Sequence, residues 1–152
     1  MNKLFTLLFS VWAVTTLSAQ YQQIDYKLAE LEEKKGIQEN LKKLNLEDKT
    51  FVLIKEFDDH TERQFIKIQG EKSTFIEVFD DKTTGESSSN VFSGDFIKTE
   101  GGYLSFRFNE LESQPLPLPL VKSLLATRHK KILYLKDINT GERWIELSAI
   151  EN

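Results

Sequence analysis

The sequence predicts an α+β domain. It comprises an N-terminal helix packed on a mostly antiparallel, curved sheet of about seven strands, with a short helix near residues 120–129. Three observations carry this expectation. Apolar residues at helical spacing run from Tyr21 to Leu46. Short segments rich in β-branched and aromatic residues follow from Thr50 onward, separated by tight polar turns. One of them, Tyr103–Asn109, alternates cleanly: Leu104, Phe106 and Phe108 fall on one face, Ser105 and Arg107 on the other.

The helix rests on two stripes. Ile24, Leu28 and Leu31 step by four and three residues, and Ile37, Leu41 and Leu44 repeat the step. The stripes are out of phase and Gly36 sits between them. A helix kinked at Gly36, or two short helices meeting there, reconciles them. Such a stripe packs on a sheet of its own chain or presents a face to a partner.

The strand candidates are Thr50–Phe57, Glu62–Gln69, Ser73–Phe79, Val91–Lys98, Tyr103–Asn109, Lys131–Lys136 and Arg143–Ala149. Their short connections favour hairpins over crossover units. Ser87-Ser88-Ser89 reads as a flexible polar connection ahead of Val91. Between the fifth and sixth candidates, Pro115, Pro117 and Pro119 alternate with Leu116, Leu118 and Leu120. Alternating proline removes backbone donors and favours an extended, polyproline-like strap. Its leucines are expected to cover the core. Leu120 to His129 then forms the short helix, with Leu124 and Leu125 inward.

Two turns share a pattern. Asp81 to Glu86 and Asp137 to Glu142 both read D-x-x-T-G-E. The aspartate accepts backbone N–H bonds across the turn, and the glycine supplies the positive φ that closes it. Gly85 and Gly141 are therefore expected at positive φ. Lys136 to Trp144 resembles the hairpin of β-propeller repeats in quinone-dependent dehydrogenases, where D-x-x-T-G precedes a tryptophan. The resemblance implies a hairpin and no propeller, because a ring of four-stranded blades does not fit in this length.

The first residues stand apart. Lys3 precedes an uncharged apolar stretch from Leu4 to Leu17, which closes on Ser18-Ala19-Gln20. A basic start, a short apolar run and a small residue at the end describe a secretory signal peptide. The run is too short for a bilayer span of about 20 residues, so no transmembrane segment is expected once the leader is removed. The segment resembles the leaders of Bacteroidetes exported proteins, which often end in Ala-Gln. The expectation is a leader over 1–19 and a single exported domain over 20–152, periplasmic or extracellular.

Composition narrows the function classes. The chain has no cysteine, which removes disulfides, thiol nucleophiles and thiolate metal sites. A net charge of −4 argues against a general nucleic-acid binder. The common nucleophile-elbow, zinc-protease, phosphate-loop and dinucleotide signatures are missing. No cofactor and no metal site is expected. Asp58, Asp59 and His60 form the one acid–imidazole cluster, and it reads as a hairpin tip.

Two sets of candidate binding residues remain. Tyr103, Arg107, Tyr134 and Trp144 are types that line binding surfaces. Lys122, Arg128, His129 and Lys130 form a basic run that, on a helix, could hold an anion or offset the helix dipole. Glu56, Glu77 and Glu146 lie within apolar strands, and alternation assigns them to the wet face of the sheet.

The first functional expectation is an exported, non-enzymatic binding module that holds a small apolar ligand or a protein on a sheet face. The alternative is an envelope or secretion-associated structural protein acting through its N-terminal helix. The third is a small hydrolase with a carboxylate site. Whether the aromatic faces enclose space or simply pack separates the first from the others.

Overall fold

A computed structural model of the chain describes residues 2–35, 44–99 and 101–151. Helix α1 (Asn2–Lys35) spans the N-terminal apolar stretch and continues through the Ile24–Leu28–Leu31 stripe. The bend expected at Gly36, together with Ile37 and Leu41, lies outside the described residues. No helix among the described residues is long and apolar enough to cross a membrane.

The remainder is β. The strands are β1 (Thr50–Glu56), β2 (His60–Gln69), β3 (Lys72–Asp81), β4 (Ser87–Lys98), β5 (Tyr103–Leu111), β6 (Gln114–His129), β7 (Ile132–Asp137) and β8 (Arg143–Glu146). Each pairs antiparallel with the next, and β8 returns to β1 at Phe51↔Glu146 and Val52↔Ile145. The α+β class stands, with one described helix against a wholly antiparallel sheet. The open curved sheet of seven strands does not: eight strands close into an up-and-down barrel.

The extra strand replaces the short helix. Residues 120–129 are strand β6, paired with β5 and β7. Leu124 and Leu125 are adjacent, so a helix could bury both, but β6 turns Leu124 inward with Ala126, opposite Leu104 and Leu135, and Leu125 outward. The pairing available from two flanking strands outweighs the local helical pattern. Two further boundaries move. The serines 87–89 belong to β4 and pair with Val78, Phe79 and Asp80. The last strand stops at Glu146, and Leu147–Ala149 turn as a 3-10 helix.

The prolines are accommodated by a break in the ladder rather than by a strap over the core. Phe108 pairs with Leu120 and Glu110 with Pro115, so residues 116–119 bulge out of the β5–β6 register. On its other edge β6 meets β7 only from Leu124 onward. The proline stretch therefore lies where no inward ladder donor is needed, and it blunts an edge open to strand addition. Leu118 is 81% exposed and covers nothing.

Contacts between non-adjacent strands identify the interior. Phe75 of β3 lies 5.5 Å from Phe108 of β5, and Lys122 of β6 reaches over both Phe75 and Trp144 of β8. Alternation then places Phe51, Gln64, Ile66, Ile68, Glu77 and Phe79 on the same inner face. The outer faces of β1 and β8 are dry as well, because α1 covers them. Val52, Ile54 and Ile145 are buried there with Tyr21 and Leu28.

α1 is fastened by polar bonds around this apolar contact. The Tyr21 hydroxyl donates to the Arg143 carbonyl at 2.7 Å. Glu32 accepts from Arg143 at 2.7 Å, from Lys136 at 2.6 Å and from the Tyr134 hydroxyl at 3.2 Å. Arg143 also reaches Asp25 at 3.2 Å. Burial works to raise the Glu32 pKa, but the Arg143 and Lys136 hydrogen bonds prevail and hold it below the ordinary carboxylate value.

Candidate functional site: the open half of the barrel

The barrel has two unlike halves. The hairpins β2–β3, β4–β5 and β6–β7 mark one end, and there the inward Ile66, Ile68, Phe75, Leu104, Phe106 and Phe108 have no solvent exposure. The hairpins β1–β2, β3–β4, β5–β6 and β7–β8 mark the other. Inward residues on that side, Glu62, Glu77, Phe79, Phe92, Leu120 and Lys122, all remain partly exposed. Eight strands give a barrel whose interior is either filled by side chains or wide enough for one small ligand. Here one end is filled and the other is open to water.

Strand lengths explain the opening. β7 ends at Asp137, opposite Leu124, so β6 runs on past its partner. The inner face of β6 near Lys122 therefore faces a gap in the wall. Both D-x-x-T-G-E turns rim this end. Asp81 accepts from the backbone of Thr83 and Thr84 at 2.7 and 2.8 Å, and Asp137 accepts from Asn139 and Thr140 at 2.7 and 3.2 Å. Gly85 and Gly141 have φ of 72° and 78°, as the turn pattern required.

At the boundary of the two halves sits Lys122. Its ammonium is 4.5 Å from the Phe75 ring centre and 5.5 Å from that of Trp144. Among the described residues it forms no hydrogen bond and no ion pair. Burial lowers its pKa, while Glu77, Glu142 and Asp137 act to raise it and Lys55 to lower it. Glu142 is itself paired with Lys55 at 2.6 Å. Two neutral polar atoms on the same inner face are buried without a partner among the described residues, Trp144 Nε1 and Gln64 Oε1.

The candidate residues named from sequence separate into different environments. Trp144 is buried and points into the barrel. Tyr134 is buried on the outside beneath α1, where burial first and Glu32 second push its hydroxyl up to about 12. Tyr103 and Arg107 share the outer face of β5 and are exposed. The basic run is split as well: Arg128, His129 and Lys130 lie at the β6–β7 turn of the closed end, while Lys122 points inward on β6. The strand that replaces the expected helix is the cause, since four residues of strand place Lys122 and Ala126 on one face but carry them well apart.

Glu77 and Glu146 also depart from expectation. Both share the inner face with Phe75 and Trp144, and only Glu56 is on the rim and exposed. Closing the sheet makes the inner face itself wet at one end, so alternation alone could not separate wet from dry. Glu146 pairs with Lys49 beside an open cleft of about 250 Å³ at the closed end. At the β1–β2 tip, His60 binds Asp59 at 2.6 Å, which raises its pKa, and stacks on Phe57. Among the described residues no group of three or more His, Asp or Glu side chains is placed to hold a metal ion.

Sequence reading missed the inner set of Gln64, Phe75, Phe79 and Phe92. A signal for Lys122 was present: Leu120, Lys122, Leu124 and Ala126 alternate at the period of a strand, which puts a lysine on a leucine face. Comparison of the chain with protein-family models, with curated proteins and with solved structures returned no match.

Proposed function

We propose that this chain is an exported, non-enzymatic binding module that takes a small, largely apolar ligand in the open half of its barrel. The observation that carries this reading is the contrast along the inner face. Phe79, Phe92 and Leu120 point inward as Phe106 and Phe108 do, yet they keep solvent contact. Inward apolar side chains left wet within a mostly dry barrel are the lining that a small apolar molecule would cover. The gap beside β6 supplies an entry. Export rests on the leader sequence, and the mass of the secreted chain tests it: loss of residues 1–19 is expected, and a retained Met1 overturns it.

An uncharged apolar fluorophore, N-phenyl-1-naphthylamine, tests the binding reading. Saturable, one-to-one enhancement is expected with the wild-type chain. It should be lost in Phe79→Glu and kept in Phe57→Ser, which alters an exposed ring at the tip. Unsaturable enhancement, or equal binding by both variants, overturns the reading.

Ile24 and Leu28 of the helical stripe, which an interaction role for the helix would leave free, are turned onto the barrel, with Leu28 fully buried. For that reason the interior, and not the helix, is taken as the working surface.

A further inference from the structure

Resting on the reading of the interior as a ligand site, we infer that the ligand is a monoanionic amphiphile, a carboxylate on an apolar chain, whose acid group sits between Lys122 and Trp144 Nε1. Two observations converge on this. Lys122 is a half-buried, inward-turned lysine with two aromatic rings beneath its ammonium and no anionic partner among the described residues. A buried lysine is normally paired, because an isolated charge away from water is costly. Trp144 is 99% buried on the same inner face, and its indole N–H has no acceptor among the described residues. Two donors, one charged and one neutral, thus lack the same thing: an acceptor oxygen. A carboxylate offers two oxygens and one negative charge.

The surroundings set the rest of the ligand. Glu77, Glu142 and Asp137 act on Lys122 electrostatically, and Lys55, the other cation among these groups, is engaged by Glu142. This acidic background tolerates one negative charge and repels a multiply charged phosphate. Outward from Lys122, Leu120, Phe92 and Phe79 lead to the mouth along a wet inner face that also carries Glu77 and Glu62. An acyl chain laid along them would cover what water now touches, with the acid end innermost.

The unliganded protein bears a cost for this arrangement, and that gives a test independent of binding. Lys122→Met keeps the length of the side chain and removes the unpaired charge. The variant is expected to melt at a higher temperature than the wild type while losing its preference for acids. The binding experiment is calorimetry on the full chain with decanoate and decanol at neutral pH. Wild type and Lys122→Arg should favour decanoate by about tenfold, the scale of one charge-assisted hydrogen bond. Lys122→Met should bind both about equally. Equal binding of both by the wild type, with Lys122→Met unchanged, overturns the anion inference and leaves the apolar reading standing. Binding of neither compound by a folded wild type overturns both. A lower melting temperature for Lys122→Met would mean that the lysine is already satisfied, and would also overturn the inference.

Discussion

At one end of the barrel Phe106 and Phe108 stack on each other and, with Phe75 tilted against Phe108, are shut off from water, while the half-buried Phe96 stacks on Phe106. At the other end Phe79 and Phe92 point in the same direction and remain wet. The two sets are the same residue type on neighbouring strands of one sheet. What differs is the wall around them. Where β6, β7, β8 and β1 are all in register, side chains from every strand meet and exclude solvent. Where β7 has ended and β6 bulges at its prolines, the ring of side chains is incomplete. The comparison shows that stability and access are assigned to different halves of one continuous hydrogen-bonded ladder.

The largest expected effect belongs to the closed half. Phe106→Ala should cost about 3–5 kcal/mol in denaturant unfolding, because a fully buried ring leaves a cavity. A cost near zero would mean that this end is not packed. Next comes the clasp between α1 and the barrel wall. Glu32→Gln weakens the hydrogen bonds from Arg143 and Lys136 and should cost about 1.5–3 kcal/mol, the range for bonds to charged groups. The same clasp predicts a pH dependence. The folded pKa of Glu32 is below its ordinary value, so its stabilisation is full above the ordinary carboxylate range and is lost as pH falls through the lowered value. Acid titration followed by limited proteolysis of α1 should show the helix released in the wild type at lower pH than other carboxylates titrate. Release that is independent of pH in the wild type would break the link.

Smaller effects are expected at the open end. Gly141→Val should cost about 1–2 kcal/mol from positive φ alone, since the space around a Cβ there is empty. Thermal melts equal to wild type would show that the turn relaxes freely. The smallest cost is that of Phe79→Ser, expected at about 1 kcal/mol or less because the ring is only partly buried. The same substitution should nevertheless weaken uptake of N-phenyl-1-naphthylamine by more than Phe106→Ala does in chains that remain folded. A reversed order of these two effects on uptake would exchange the roles assigned to the two halves.

Strand faces and tight turns were legible in the sequence wherever a segment carried its own pattern, whereas the order of the strands around the barrel was not. Leu104, Phe106 and Phe108 announce an inner face by alternation, and the paired D-x-x-T-G-E turns announce hairpins, because both signals depend only on neighbours along the chain. Leu120 to His129 misled, since Leu124 beside Leu125 fits a helix as well as a strand, and only β5 and β7 on either side decide between them. Trp144 was visible as an aromatic residue in the last strand. Its pairing with Lys122 was not visible, because 22 positions separate them and the contact crosses the barrel.

By itself, then, the sequence determined the class of the fold, the hairpin connections and the positive φ of Gly85 and Gly141, all of which follow from local backbone and side-chain preferences. Only the tertiary structure decided that the sheet closes, that Lys122 is turned inward without a counter-ion among the described residues, and that one end of the barrel fills while the other stays open. These depend on which strand ends where relative to its neighbours around the ring. Register across a closed sheet is a property of all eight strands together and is written in no single segment.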